Sequence, residues 1–168
     1  PSTFLKQMLA ALTFPADQQQ AIRRAGTTYN VPLINSLVLY TGAAGIAKMQ
    51  REAAGGKAGS AAGSAAAASA AAAAAAAGMQ FQDNSCMDVL EALVNGLDNE
   101  GRYYALNAIA NQLRYPNNHT YYFSCGLLYL FLQSKNEMVM EQITRVLLER
   151  LIVHRPHPWG LLITFIEL

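Results

Sequence analysis

Two histidines three residues apart, His154 and His157, lie in the segment VHRPHPWG at 153–160. On a helix, imidazoles at positions i and i+3 share a face and could bind one metal ion. Pro156 and Pro158 remove backbone donors and drive the residue before each of them toward extended conformations, so no continuous helix is expected here. No cluster of Cys or Asp completes a tetrahedral shell nearby. We therefore interpret the segment as a turn shaped by its prolines and expect no metal or other cofactor.

A second pair with catalytic chemistry is Cys125 with His119, which could act as nucleophile and base. Cys125 lies in an apolar helical pattern, and neither a third orienting group nor an oxyanion motif accompanies it. The other cysteine, Cys86, has the same apolar surroundings, and the two show no CxxC spacing. Both are predicted to be small buried residues in a reducing compartment. Because phosphate-binding loops and a nucleophile elbow are also absent from the sequence, we expect no catalytic activity.

The charge balance of the chain argues against a polyanionic partner. The 168 residues include 12 Lys plus Arg and 11 Asp plus Glu, a formal net charge of +1. Such a balance lacks the excess of positive charge that is typical of nucleic-acid-binding proteins. Direct RNA binding by a helical-repeat module is therefore only the alternative function. The longest aliphatic and aromatic stretch, 121–132, is also shorter than the ~20 residues that span a bilayer, and we expect no membrane contact.

A change of composition divides the chain. Residues 53–78 are almost wholly Ala, Gly and Ser, with no large apolar side chain to bury. We interpret this segment as a low-complexity surface insert between an N-terminal part, 1–52, and a C-terminal part, 79–168, of the same domain.

Helical periodicity appears on both sides of the insert. Before it, the pattern predicts a first helix from about Phe4, a second that ends at Gly26, and a third capped by Asn30 with Pro32 in its first turn. Gly42 and Gly45, in the third helix, would allow a neighbouring helix to approach closely. After the insert, helices are predicted at about 84–97, 100–114, 120–133 and 137–153. In the last of these, Arg145 is placed to pair with the glutamates at 141 and 149.

A final helix is predicted to begin near Pro158, whose missing N–H suits a first turn. Trp159, Leu162, Ile163 and Ile166 recur at i, i+3, i+4 and i+7, and we therefore expect Trp159 to be a core anchor. The helices together predict an all-α fold of antiparallel pairs stacked as a HEAT-like array, although no strict sequence repeat is present.

Adjacent aromatic residues are the strongest candidates for partner binding. Tyr103 and Tyr104, and likewise Tyr121 and Tyr122, place neighbouring rings on diverging faces of a helix. At least one ring of each pair should therefore lie near the surface or a groove, where it could contact a partner peptide. The alternative interpretation is packing at the rim of the core.

Long segments of the chain resemble a known family. They are TYNVPLINSLVLY at 28–40, EGRY at 100–103, LNAIANQLRYPN at 106–117, YFSC at 122–125, LYLF at 128–131, and the run from EQITRV at 141–146 through HPWG at 157–160 to residue 168. Together they resemble the superfamily homology region at the C-terminal end of Not-one, the scaffold subunit of the eukaryotic mRNA deadenylase complex. The low-complexity insert falls where family members carry a variable loop.

The resemblance implies a non-catalytic domain of HEAT-like helical pairs that docks other proteins. Its expected partners are the Not-two and Not-three subunits and RNA-binding repressors of the Nanos type. Through them the deadenylase complex would be recruited for mRNA decay and translational repression. The implied location is the cytoplasm, with a nuclear pool as a second site.

Overall fold

The computed structural model describes residues 3–55, 85–115 and 117–168, and these residues form eight α-helices and no β-strand. The helices are α1 (Thr3–Ala11), α2 (Gln19–Ala25), α3 (Val31–Gly55), α4 (Ser85–Gly96), α5 (Asn99–Gln112), α6 (Asn118–Gln133), α7 (Glu137–Val153) and α8 (Trp159–Glu167). The chain is all-α, with helical pairs stacked as a HEAT-like array, as the sequence predicted. Apart from 53–55, which continue α3, the predicted insert lies outside the described residues.

Side-chain caps mark where several helices begin. The Asn30 carboxamide oxygen accepts from the N–H of Leu33 at 3.2 Å at the start of α3, with Pro32 in the first turn. Asp98 caps α5 by accepting from the N–H of Gly101 at 2.8 Å. Asn117 opens α6 with a capping box to Thr120. Such caps satisfy backbone donors that have no partner within the helix, so polar residues in the connections fix the helix boundaries.

Helix α3 lies at the centre of the packing, against α4, α5 and α6. Its two glycines permit the contact with α6: a Cβ atom on Gly42 would overlap the Phe123 ring, and one on Gly45 would lie 2.5 Å from Cζ of Tyr122. The close approach expected of these glycines is therefore confirmed. By length and composition alone, Val31–Arg51 of α3 would also be long and apolar enough to cross a membrane. A helix packed at the centre of a bundle satisfies the same criterion.

The second half of the core is built from apolar stripes that the sequence predicted. The inward positions predicted for the helix at 100–114 are all buried, namely Leu106, Ile109 and Ala110 of α5 and Leu113 at its C-cap. On α7 the predicted polar face is exposed at Glu137, Glu141 and Arg145 and partly buried at Glu149. Arg145 pairs with Glu141 alone, with Nε donating to Oε1 at 2.9 Å. Glu149 instead accepts from the hydroxyl of Tyr103 at 3.0 Å. The expected double pairing of Arg145 is therefore wrong, because the second carboxylate is bonded by a neighbouring helix.

One charged side chain, Arg102 of α5, is buried with 7 % of its surface exposed. Its guanidinium donates to the carbonyls of Val94 and Leu97 at the end of α4. It also donates to the side-chain oxygens of Asn99 at 3.0 Å and Gln142 at 3.2 Å. The cation thus satisfies orphan carbonyls at a helix C-terminus and ties α4, α5 and α7 together. Nothing in the spacing of the sequence around Arg102 predicts its burial.

Candidate functional site

The structure divides the four candidate tyrosines between core and surface. Tyr122 is only 1 % exposed and packs edge-on against Phe123. The prediction that Tyr122 lines a groove is therefore wrong, because its ring fills the space beside Gly45 of α3. Tyr121, its neighbour, is 40 % exposed. The two adjacent rings diverge as expected, with Tyr122 in the core and Tyr121 at the surface.

The other tyrosine pair lies on α5. Tyr103 is 36 % exposed, whereas Tyr104 is half-buried and packs against Tyr29 with ring centroids 6.3 Å apart. Their hydroxyls are bonded within the chain, Tyr103 to Glu149 at 3.0 Å and Tyr104 to Glu100 at 3.3 Å. These two rings occupy the rim between core and surface. Their role in partner binding stays a prediction.

Trp159 does not enter the core, contrary to the sequence prediction, and is 70 % exposed. The buried residues of α8 are Leu161 and Thr164. Gly160 explains this orientation, because a Cβ there would overlap the carbonyl of Leu113 and lie 2.6 Å from Cγ2 of Thr120. The face of α8 that carries Gly160 is therefore pressed against the turn between α5 and α6, and Trp159 is directed to the surface.

Trp159 instead lines a shallow depression between α6 and α8, which we call the aromatic groove. Its volume is about 230 Å³. Its apolar surface comes from Tyr121, Trp159 and Ile163, and the remaining lining residues are Asn117, Thr120, Ser124 and Gly160. Beneath it, the hydroxyls of Ser124 and Thr164 lie 2.7 Å apart and join the two helices. The groove is thus a small, mainly apolar surface between two helices that share a hydrogen bond.

A second depression, which we call the His-Pro pocket, adjoins the turn that carries the two histidines. It has a volume of about 500 Å³ and is lined by Arg114, Tyr115, Val153, His154, Arg155, Pro156, His157 and Pro158. The Arg155–Pro156 peptide bond is cis. Nδ1 of His157 lies 2.7 Å from the carbonyl oxygen of Leu151, a geometry in which the ring donates a proton to that oxygen.

The pocket is electropositive. Partial burial, followed by the positive charges of Arg114 and Arg150, lowers the pKa of His154 below its ordinary value. A metal ion prefers surroundings that neutralise its charge, and no group of three or more His, Cys, Asp or Glu side chains suited to a metal ion occurs within the described ranges. Arginine side chains with no carboxylate among the lining residues would repel a metal ion and could instead contact an anion.

Two further clefts flank α1. One, of about 710 Å³, lies against α4 and is lined mainly by Leu5, Leu9 and Ala92 with Lys6, Asp88 and Glu91 at its rim. The other, of about 430 Å³, lies between α1, α3 and α4 and includes Phe4, Met8, Tyr40 and Cys86. Both are broad and mostly apolar.

The cysteines are not placed for catalysis. Burial raises the pKa of the Cys125 thiol above its ordinary value, and the same is true of Cys86. A hydrogen bond joins Cys125 to Tyr121, whose own pKa is raised chiefly by burial and then by this bond. A thiol in apolar surroundings is a poor nucleophile near neutral pH, because the thiolate is disfavoured. Neither cysteine is therefore an activated nucleophile.

Comparison with known proteins identifies the family. The family model described as "CCR4-Not complex component, Not1" matches residues 1–168. The chain belongs to the Not1 family. Among curated Not1-family relatives, the Caenorhabditis elegans CCR4-NOT transcription complex subunit let-711 is 46 % identical over 149 residues, 89 % of this chain and 5 % of the relative. The Schizosaccharomyces pombe general negative regulator of transcription subunit 1 is 56 % identical over 94 residues, 53 % of the chain and 4 % of the relative.

Solved Not1 structures have the same fold. The NOT1 superfamily homology domain from Chaetomium thermophilum matches 97 % of this chain and 30 % of its own length, with 29 % identity and a TM-score of 0.60. A Not1 C-terminal domain in complex with Not4 matches 82 % of this chain and 24 % of its own, with 27 % identity and a TM-score of 0.59. The present chain thus spans about a twentieth of the curated relatives and under a third of these solved domains.

Proposed function

We propose that this part of a Not1-family protein is a non-catalytic docking module that holds other proteins of the CCR4-Not complex. The observation that carries the proposal is the solved Not1 C-terminal domain in complex with Not4, whose fold covers 82 % of this chain. The matched part is 24 % of that chain, and the complex of this related domain with another Not subunit supports a docking role here. Stacked helical pairs suit such a role, because they offer extended surfaces to a partner.

Within the module, the aromatic groove is our candidate contact. Tyr121 and Trp159 present large apolar rings at the surface, on helices joined by the hydroxyls of Ser124 and Thr164. Aromatic side chains have few rotatable bonds and provide contact area with little loss of conformational entropy on binding, which is why they are frequent in binding hot spots. The groove is therefore suited to receive an apolar side chain of a partner peptide.

The resemblance to the Not-one superfamily homology region suggests specific partners, roles and a location for this chain. The partners we propose are Not-two and Not-three type subunits, a Not4-type subunit, and RNA-binding repressors of the Nanos type. Docking of these proteins would recruit the deadenylase to target transcripts for mRNA decay and translational repression. The proposed location is the cytoplasm, with a nuclear pool. Direct RNA binding is the competing function, and the net charge of +1 disfavours it.

Co-purification tests the proposal. The chain would be expressed with tagged Not-two, Not-three and Not4-type subunits in turn, and we expect at least one stable complex. Trp159→Ala and Tyr121→Ala should each weaken it by about 1 to 3 kcal/mol. Leu132→Ala is the matched control, because Leu132 is an exposed apolar residue of α6 outside the groove.

The competing function is tested in the same preparation by titration with single-stranded RNA over a range of salt concentrations. Binding to phosphates weakens steeply as salt rises, whereas an apolar protein contact does not. Salt-sensitive RNA binding, combined with failure to retain any Not subunit, would contradict the docking proposal.

A further inference from the structure

The His-Pro pocket concentrates positive charge without a compensating acid. Arg114 and Arg155 line it together with His154 and His157, and Arg150 lies close enough to His154 to lower its pKa. No Asp or Glu is among the lining residues. Within the part of the chain that the structure describes, Arg145 with Glu141 is the one ion pair between side chains, so none of these three arginines is paired with a carboxylate.

Several of these groups are held in place by contacts around the pocket. Nε of Arg150 donates to the side-chain oxygen of Asn107 at 2.7 Å, and the guanidinium of Arg114 lies 5.3 Å from the centre of the Tyr115 ring. The His157 ring is fixed by the carbonyl of Leu151. Preorganised cations bind an anion at a lower entropic cost than mobile surface side chains do.

The helix C-termini near the pocket neutralise only part of this positive charge. Helices α5 and α7 both end beside the pocket, and the C-terminus of a helix carries a partial negative charge of about half an electron. Two such ends favour cations there, but they offset only about one of the three full arginine charges. A net positive potential therefore remains, and it is available to a ligand.

We propose that the His-Pro pocket binds an acidic segment of a partner protein, with Asp or Glu carboxylates facing Arg114 and Arg155. The inference rests on the proposed docking function and specifies the chemistry of one partner. The guanidinium fork matches a carboxylate bidentately, which adds geometric selectivity to charge attraction. Pro158 lines the pocket and the next residue, Trp159, lines the aromatic groove, so an acidic residue beside an apolar one in the partner would contact both.

A protein ligand is favoured over RNA by the shape and extent of the charge. A nucleic-acid strand requires a track of cations that follows successive phosphates. Here the cluster of arginines is limited to one pocket of about 500 Å³ in a chain of net charge +1, and the adjacent pair Arg23 and Arg24 lies on a separate helix, α2. A pocket of this size accommodates one or two side chains.

Trp159 is the single tryptophan of the chain and serves as a fluorescence reporter beside the pocket. The whole 168-residue chain would be titrated at low ionic strength with a tetraglutamate peptide, a tetraglutamine peptide and hexauridylate RNA. We expect saturable binding of tetraglutamate, none of tetraglutamine, and weaker binding of the RNA. The double variant Arg114→Gln and Arg155→Gln should reduce tetraglutamate affinity by roughly tenfold or more.

Two further variants make the test specific. Arg145→Gln removes an exposed arginine of α7 outside the pocket and should bind tetraglutamate as the unmodified chain does. Arg155→Lys keeps the charge but loses the planar fork, and we expect affinity between those of the unmodified chain and Arg155→Gln. Unchanged circular dichroism and melting temperature would show that the double variant is folded.

The proposal is overturned if tetraglutamate fails to bind, or if the double variant binds it equally well. It is also overturned if hexauridylate binds more tightly with the same dependence on both arginines, because the site would then be one for nucleic-acid phosphates. Retained co-purification of Not subunits alongside a failed titration would remove the pocket assignment and leave the docking function intact. Loss of every Not subunit from the unmodified chain would instead contradict docking itself, whatever the peptide titration shows.

Discussion

The two ends of α5 carry arginines in opposite circumstances. At the N-terminal end, Arg102 is buried, and its guanidinium donates to four neutral oxygens from three helices and their connections. Just beyond the C-terminal end, Arg114 is exposed over the Tyr115 ring beside other cations. A buried charge requires that its donors be satisfied inside the protein, whereas a surface cluster can offer its donors to a ligand. The same residue type thus stabilises the fold at one end of a helix and is proposed to bind a partner at the other.

The largest expected effect is at the buried end. Arg102→Met keeps much of the side-chain volume but leaves the carbonyls of Val94 and Leu97 without their charged donor, and should lower the free energy of unfolding by about 3 kcal/mol. The matched change Arg114→Met should alter stability by no more than about 0.5 kcal/mol. Urea unfolding of both variants makes the comparison. Equal losses would show that the two arginines are structural to the same degree.

A smaller effect is expected from Asp98, which caps the same helix beside Arg102. Its carboxylate accepts from the N–H of Gly101 and from the Tyr29 hydroxyl at 2.9 Å. Asp98→Ala removes both bonds and should cost about 2 kcal/mol at neutral pH. The pKa of Tyr29, the donor in this hydrogen bond, is raised to about 12, chiefly by burial and secondly by the bond to Asp98.

This contribution should depend on pH in a known direction. The backbone bond from Gly101 lowers the pKa of Asp98, so the folded state favours the carboxylate more than the unfolded chain does. The stabilisation is therefore fully present above the ordinary aspartate pKa of about 4 and is lost as the pH falls through the lowered value. Unfolding at neutral and acidic pH should show the cost of Asp98→Ala shrinking in acid. Asn117→Ala, at the cap of α6, is the control, because a carboxamide does not titrate in this range.

The smallest effect on stability is expected at Trp159. Since its ring is mostly exposed, Trp159→Ala should change the free energy of unfolding by less than about 1 kcal/mol while weakening a bound Not subunit. Thermal unfolding and co-purification of the same variant separate the two effects. A loss of stability of about 3 kcal/mol or more would instead restore the core role that the sequence predicted.

Helices with two distinct faces could be predicted well from the sequence. The bounds of α7 at 137–153 agree with the prediction, because a charged stripe and an apolar stripe fix its orientation together. In α8 nearly every residue is apolar, so no polar face indicates which side is exposed. The buried stripe of α8 contains Leu161 and Thr164, two positions after the predicted Trp159 and Leu162, and Trp159 therefore lies at the surface. What decided its orientation was the tertiary contact of Gly160 with the turn before α6.

Side chains that break the usual rules for burial were also missed. Arg102 lies in an amphipathic pattern where a charged residue is expected to be exposed, and only the carbonyls of α4 show why it is not. The tyrosine pair on α6 was predicted to diverge, yet which ring is buried depends on the space beside Gly45 of another helix. The spacing of apolar residues along the chain predicts where a helix forms. Contacts between distant segments decide which of these individual side chains are buried.

The central position of α3 has a consequence for how this chain can vary. The helix precedes the low-complexity segment, yet its principal contacts are with α4, α5 and α6, which all follow it. The connection from 55 to 85 is therefore expected to be a tether between two parts of the chain that already contact one another. Doubling the length of such a tether costs only about 0.6 kcal/mol of closure entropy. We therefore expect that the alanine-rich sequence there can lengthen or shorten at little energetic cost, and that the same position accepts a genetically inserted fluorescent reporter or affinity tag.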